Sequence, residues 1–420
     1  MCGWIVDAKG AAGPARSNHL DANPPDYIMS EGGSTLATTL GGGALILLLI
    51  IVVAFLLGQR WRSIRITELW IYPVKSCGGV RVEEATMFRS GLAWDREFAI
   101  VDMRKSTNGE VLSQKQHPRL AKICPTLHCT EMGELPAGPT PGATLTGLTL
   151  RTTDTESSVF VDLVDAPRKT CRTTWLGNNA PLDAQALPVA DAWLSEQVGF
   201  ACRLVRLTSR RGLRTTRLAP VADNATDCCR YQDGAPLTVL SEASVSMISR
   251  KFSNPLLPAR FRANVVISGC GALAESTWTG VGVGPADAAD GAGAGIRFLM
   301  EAYRCTMITI AQAAEAPSYE AGSRPHGPMS LFKLMRSLTA RDASSHGPLP
   351  RDNPNLAVFA APDQDEAVLR VGDLVRVRGT IHEARAPSIF KYNEAKATEQ
   401  FTFDEEARFW VSGAPKQPSA

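Results

Sequence analysis

The chain has 420 residues, 44% of them hydrophobic, so it holds enough apolar material for more than one packed domain. Its formal net charge is only +2 and no Lys/Arg-rich run is interleaved with aromatics, which excludes nucleic acid as a partner on bulk electrostatics. Ten cysteines are scattered with no C-x-x-C pair, the pattern of a reducing compartment and not of a disulfide scaffold.

Residues 36–57 carry no charge, and 44–57 are apolar throughout. A helix of that length reaches about 33 Å, enough to cross a bilayer's hydrocarbon core. The tail before it, 1–35, sets two bases, Lys9 and Arg16, against four acids, while Arg60, Arg62 and Arg65 follow it. By the positive-inside rule this predicts a non-cytosolic tail, one transmembrane helix and a cytosolic remainder tethered to the membrane.

The folded part starts near residue 64. Alternating, β-branched stretches predict strands at 66–72, 80–88, 98–101, 120–123, 148–152 and 159–164, separated by turns such as Ser90-Gly91. A helix is predicted at 189–198 and a strand at 201–207. A second unit begins near 231, with a strand at 237–240, a helix at 241–252 and a strand at 263–267. Apolar runs at 296–300 and 307–310 read as strand-like. Residues 284–295 and 311–355 read as insertions, the latter with a short helix at 331–338, and 368–380 as closing strands. The fold class is mainly β with a few helices (α+β), built as barrel or sandwich units at 64–210 and 231–380, with 381–420 as an extension.

Several common chemistries find no footing. There is no G-x-S-x-G elbow, Lys75-Ser76 lacks the upstream glycine of a phosphate loop, and no H-E-x-x-H is present. Gly280, Gly282 and Gly284 read as a hairpin turn, and Cys124, His128 and Cys129 as a weak metal alternative. Four stretches and one tetrapeptide remain. Y-P-V-K-S-C-G-G (72–79) puts Lys75 and Ser76 in a turn, and G-L-A-W-D-R-E-F (91–98) puts Arg96 before a strand. P-L-T-V-L-S-E-A-S (236–244) offers Ser241 as an N-cap with free N–H groups for a phosphate, provided Glu242 points away. R-F-R-A-N-V-V (260–266) puts Arg262 and Asn264 on one side of an extended segment. In Y-R-C-T (303–306), Arg304 favours the thiolate form of Cys305, a ligand for soft metals. Lys, Arg, Ser and Asn together suit an anionic ligand with many hydrogen-bonding groups, and a thiolate completes a pocket for a metal held by it.

In this order, K-S, D-R, S-E-A-S, R-F-R-x-N and R-C resemble the MOSC (molybdenum cofactor sulfurase C-terminal) family with its N-terminal MOSC β-barrel domain, closest to its membrane-anchored amidoxime-reducing components. The resemblance implies a molybdenum–molybdopterin cofactor, with Cys305 as the metal ligand and catalytic residue. It implies cofactor contacts from Lys75, Ser76, Arg96, Ser241, Arg262 and Asn264. It further implies reduction of small N-hydroxylated substrates, with electrons from a b-type cytochrome and an NADH-dependent flavin reductase, at the outer mitochondrial membrane. A related module that handles the cofactor or carries sulfur, without reductase activity, is the alternative. After the cysteine, relatives carry T-T-V-D-P or C-I-D-Q, where this chain has M-I-T-I-A-Q (307–312).

Overall fold

Two β-barrels share the chain, and the first described strand belongs to the second of them. The structure is a computed structural model. It describes residues 63–380 apart from 105–108, 131–141, 156, 167–168, 176–177, 208–213, 216–227, 253, 289–292, 326–330, 332 and 336–353, together with 401–404 and 409–412. The tail 1–35, the stretch 36–57 and most of 381–420 lie outside the described residues. Among the described residues, no helix is long and apolar enough to cross a membrane.

The first half supplies β1 (Arg65–Ile71), β2 (Val80–Val82), β3 (Glu84–Phe88), β4 (Gly91–Leu92), β5 (Phe98–Asp102) and β6 (Gly109–Val111). It continues with β7 (Ile123–Cys129), β8 (Leu145–Thr152), β9 (Ser158–Asp162), β10 (Thr170–Trp175), β11 (Asn178–Leu187), helix α1 (Asp191–Val198) and β12 (Cys202–Leu207). Strands β10, β11, β12, β5 and β6 form a closed barrel. Ala99, Val101, Ala184, Val205 and Tyr231 make one apolar cluster against it, and Phe98, Ile100 and Leu204 turn to the other face and join the main core. That alternation is the period-2 pattern of a strand buried on both sides. Helix α1 connects β11 to β12, buries Trp193, Leu194 and Val198, and stops at Gly199, whose φ of 94° suits a residue without a Cβ.

After β13 (Arg214–Thr215) and β14 (Cys228–Cys229), the second half supplies β15 (Leu237–Ser241), helix α2 (Glu242–Ser249), β16 (Val265–Ser268), β17 (Trp278–Gly284) and β18 (Ala294–Tyr303). It ends with β19 (Asn355–Pro362), β20 (Ala367–Arg370) and β21 (Leu374–Thr380). Their sheet runs β16-β15-β19-β18-β17-β21-β1-β2, and β1 also pairs with β16, so the sheet closes on itself. Residues 72–75 then leave β1 and lie against the other barrel. Arg96 N donates to Tyr72 O at 2.8 Å, Phe98 N to Pro73 O at 2.9 Å and Lys75 N to Phe98 O at 2.8 Å. The turn carrying Lys75 and Ser76 is thereby fixed at the junction of the two barrels.

Several local expectations change. The 80–88 strand is two strands, broken at Glu83 where the chain passes from one sheet to another. Pro118 opens a 3-10 helix (Pro118–Lys122) over the expected 120–123 strand, and the strand starts at Ile123. Gly280, Gly282 and Gly284 lie within β17, not in a turn; a Cβ on Gly280 would meet Ile296 O at 2.7 Å, so the close approach of β18 requires glycine there. The 307–310 run is not a strand, because a 3-10 helix (Thr306–Thr309) follows Cys305. Residues 260–264 are not extended: Pro258 starts another 3-10 helix (Pro258–Phe261), which ends on Arg262 at φ 54°.

Candidate functional site

The site grows from Tyr72, the first residue past β1. Its backbone N–H donates to Asp95 Oδ1 at 2.9 Å, and its ring packs on Trp70 with centroids 6.3 Å apart. Gly79 leaves room for that ring, since a Cβ there would lie 2.6 Å from Tyr72 Cε1. Two guanidinium carbons stand over the ring, Arg96 at 4.2 Å and Arg262 at 4.4 Å from its centroid. The ring is 1% exposed, yet its hydroxyl has no hydrogen-bond partner among the described residues. Burial pushes the phenol up to about 12 against the pull of both arginines.

Asp95 anchors Arg96, whose Nη1 donates to Oδ1 at 2.6 Å and Oδ2 at 2.7 Å, while Nη2 donates to Arg262 O at 3.1 Å. Arg262 Nη1 donates to Cys77 O at 2.6 Å and to Gln312 Oε1 at 3.1 Å. Burial first, and then Arg96, bring the Arg262 pKa down to about 10. Lys75 is buried and its Nζ donates to Tyr231 O at 2.8 Å and Asp233 Oδ1 at 2.7 Å. Ser76, Arg96 and Arg262 all have left-handed backbones, at φ 66°, 49° and 54°. Non-glycine residues adopt that region at a cost, and such strain gathers where a surrounding scaffold must aim side chains at a ligand.

Cys305 follows β18 and is exposed. Its thiol pKa is nevertheless raised, first by the protein packed around it, while Arg304 and Lys115 pull it down and Asp233 pushes it up. The thiol lies within electrostatic reach of Asp233 and Lys115. Arg304 holds the strand end in place: its backbone N donates to Pro354 O at 2.8 Å and its Nη2 to Phe261 O. Burial lowers the Arg304 pKa, with Tyr72 and Arg96 among the groups it feels. Arg304 thus links the cysteine to the arginine–tyrosine cluster.

Lys75, Arg96 and Arg262 therefore meet at one junction, with Cys305 within electrostatic reach of it through Asp233 and Arg304, while Ser76 lies in the same turn with its Oγ donating to Leu112 O at 3.5 Å. Ser241 does not join them. It pairs with Ile267, which pairs with Ile66, six residues and about 20 Å along β1 from Tyr72. Its hydroxyl caps the helix, accepting from Ala243 N at 3.2 Å, and Ser241 N and Ser244 Oγ donate to Glu275 Oε1 at 3.1 and 2.8 Å. Glu242 points away, accepting from Thr67 Oγ1 at 2.5 Å. Asn264 lies beside the cluster but its side chain ties strands together, Nδ2 donating to Trp70 O at 3.1 Å and Oδ1 accepting from Thr238 N at 3.3 Å. His128 is engaged with Thr149 and Cys124 with Lys122 O, and no group of three metal-ligating side chains exists among the described residues.

Tyr72, Gln312, Asp233 and Lys115 were not picked out as site residues from the sequence. Tyr72 was within reach of sequence reasoning, since it opens the same motif as Lys75. Nothing local marks Gln312 or Asp233, whose roles depend on which loops the two barrels bring together.

Residues 63–199 match the MOSC N-terminal beta barrel domain and residues 228–341 the MOSC domain. The chain belongs to the family of proteins that combine these two domains. It is 27% identical to the Mus musculus protein named mitochondrial amidoxime-reducing component 1 over 322 residues, 75% of this chain and 82% of that one. The Homo sapiens protein of that name is also 27% identical, with 75% and 83% covered. A molybdenum cofactor sulfurase from Oryza sativa subsp. japonica is 29% identical over 238 residues, 53% of this chain but only 26% of its own length.

Proposed function

We propose that this chain binds a molybdenum–molybdopterin cofactor and reduces N-hydroxylated substrates with it. The observation that carries the proposal is the junction itself: an exposed thiol beside a cluster of cations around a buried tyrosine hydroxyl with no partner. Those residues fit the group. Asp95 and Asp233 offset Arg96 and Lys75, but no carboxylate of the described residues forms an ion pair with Arg262, Arg304 or Lys115, so the cluster has positive charge left for a phosphate. An unpaired buried hydroxyl is costly, and a polar ligand relieves it. Cys305 would hold the metal, with Lys75, Ser76, Arg96 and Arg262 on the pterin's anionic and polar groups.

Bound there, the cofactor supplies two electrons, which with two protons break the substrate N–O bond and release its oxygen as water. The chain's own part is to orient: β1 and its turn fix Lys75 and Ser76, Asp95 aims Arg96, and Arg304 ties Cys305 to the cluster. Lys115 adds positive charge within electrostatic reach of the thiol. The electrons come from outside the chain, from a b-type cytochrome and an NADH-dependent flavin reductase, and the protein works tethered to the outer mitochondrial membrane by residues 36–57. The names of the amidoxime-reducing relatives support this reading. The sulfurase similarity supports a second one, in which the same site handles the cofactor without reducing anything.

Cys305→Ala tests the metal-binding half. Molybdenum in the purified protein should fall to background, and retention at the wild-type level would sink the proposal. Wild-type protein loaded with molybdenum should reduce benzamidoxime when given a reduced donor; full loading without turnover favours the handling role.

A further inference from the structure

Bonded to Arg262 is a glutamine whose every hydrogen-bonding capacity is filled. Gln312 Oε1 accepts from Arg262 Nη1 at 3.1 Å and from Gln114 Nε2 at 3.1 Å. Its Nε2 donates to Gln114 Oε1 at 3.3 Å and to Ile310 O at 2.9 Å. An amide side chain has two lone pairs and two N–H bonds, so all four are used and only one orientation of the amide serves. Turned over, it would aim its NH2 at the guanidinium.

The backbone beneath it is fixed as well. Gln312 N donates to Glu315 Oε2 at 2.9 Å, and that carboxylate is paired with Arg260 at 2.6 Å, both side chains at most 1% exposed. Gln114 comes from the loop after β6 in the first barrel, and Gln312 from the segment after Cys305. The reciprocal amide pair therefore joins the barrels at the point where Arg262 is aimed, and both glutamines are buried.

Resting on the reading that this cluster holds an anionic cofactor, we propose that Gln312 is the positioning residue for Arg262, and that its pairing with Gln114 makes the orientation of that arginine depend on the docking of the two barrels. Gln312 does not touch the ligand; it acts through the guanidinium. Without it, Arg262 Nη1 keeps only Cys77 O, and its charge is free to swing off the cofactor's phosphate.

The test follows pterin release from metal-loaded protein by fluorescence of the oxidised pterin. Gln312→Leu should release the pterin at least tenfold faster, the scale of losing one hydrogen bond to a buried charge. In an Arg262→Lys background the same substitution should add less than twofold, because the group it acts through has gone; a merely structural role would add its full effect there. Equal release from wild type and Gln312→Leu, or full additivity in the double variant, overturns the assignment. Should Gln312→Leu fail to fold, Gln114→Leu removes the other half of the pair and must still speed release severalfold, and unchanged release there overturns it equally. Wild-type protein that takes up no cofactor removes the ligand reading first, and this assignment with it.

Discussion

Arg262 is a buried cation that the fold holds against its own preference, which is what the proposed ligand-gripping role requires of it. Its pKa falls to about 10 from an ordinary 12.5, which amounts to about 3 kcal/mol against the charged form. Arg96 is part of the reason: both guanidinium carbons lie within 4.4 Å of one ring centroid, so they are no more than about 9 Å apart, and like charges at that distance repel by about 2 kcal/mol at an effective dielectric near 20. The bonds to Cys77 O and Gln312 Oε1 return about 3 kcal/mol. These terms nearly cancel. Arg262→Met should therefore change the stability of cofactor-free protein by less than about 1 kcal/mol, where removing one partner of a buried pair that serves the fold costs about 3–5 kcal/mol. The sign with pH follows: the cost of the charged form is present at neutral pH and fades as pH rises through about 10, so wild type gains on the variant in that window. Denaturant titration of both proteins without cofactor, at pH 7 and pH 10.5, reads the difference. A loss above about 3 kcal/mol at pH 7, or cofactor retention like wild type, would refute the reasoning.

Other perturbations separate ligand from scaffold in the same way. Tyr72→Phe removes a buried hydroxyl with no partner, so cofactor-free protein should gain about 1 kcal/mol while pterin release quickens; thermal unfolding and release kinetics should move in opposite senses. Gly79→Ala drives a Cβ into the Tyr72 ring and should lose about 2 kcal/mol or more along with cofactor retention, both read on one purified sample. Glu275→Ala strips Ser241 N and Ser244 Oγ of their acceptor and should cost about 2–4 kcal/mol by denaturant titration. Burial raises the Glu275 pKa, so the wild type is favoured at low pH and loses stability as pH rises through the folded-state value; Glu275→Gln should flatten that slope, and an unchanged slope would show the carboxyl is not its source.

Much of the fold was legible because period-2 alternation survives in short strands: 66–72, 98–101, 148–152 and 237–240 all lie in observed strands or within a residue of one. What failed was long-range or set by a single residue. Proline at 118 and at 258 turned stretches that look extended into 3-10 helices, and β19 was hidden because its 355–362 sequence adjoins a Pro/Ser-rich run. For the site, charge and turn chemistry pointed to Lys75, Ser76, Arg96 and Arg262, since each is in or beside a motif with an odd residue for its surroundings. That Ser241 stands apart from this cluster was not legible, because the acid that accepts from its N–H, Glu275, lies 34 residues away.

The entry of β1 into the second barrel has a consequence for how the molecule comes into being. The strand made first, at the head of the folded region, must wait for β16 and β21, made some two and three hundred residues later, before its edges are covered. Until then it is an exposed, aggregation-prone ribbon, and closure involves contacts of very high sequence separation, which form slowly. A fragment beginning at residue 228 would lack both β1 and β2 and stay open between β21 and β16.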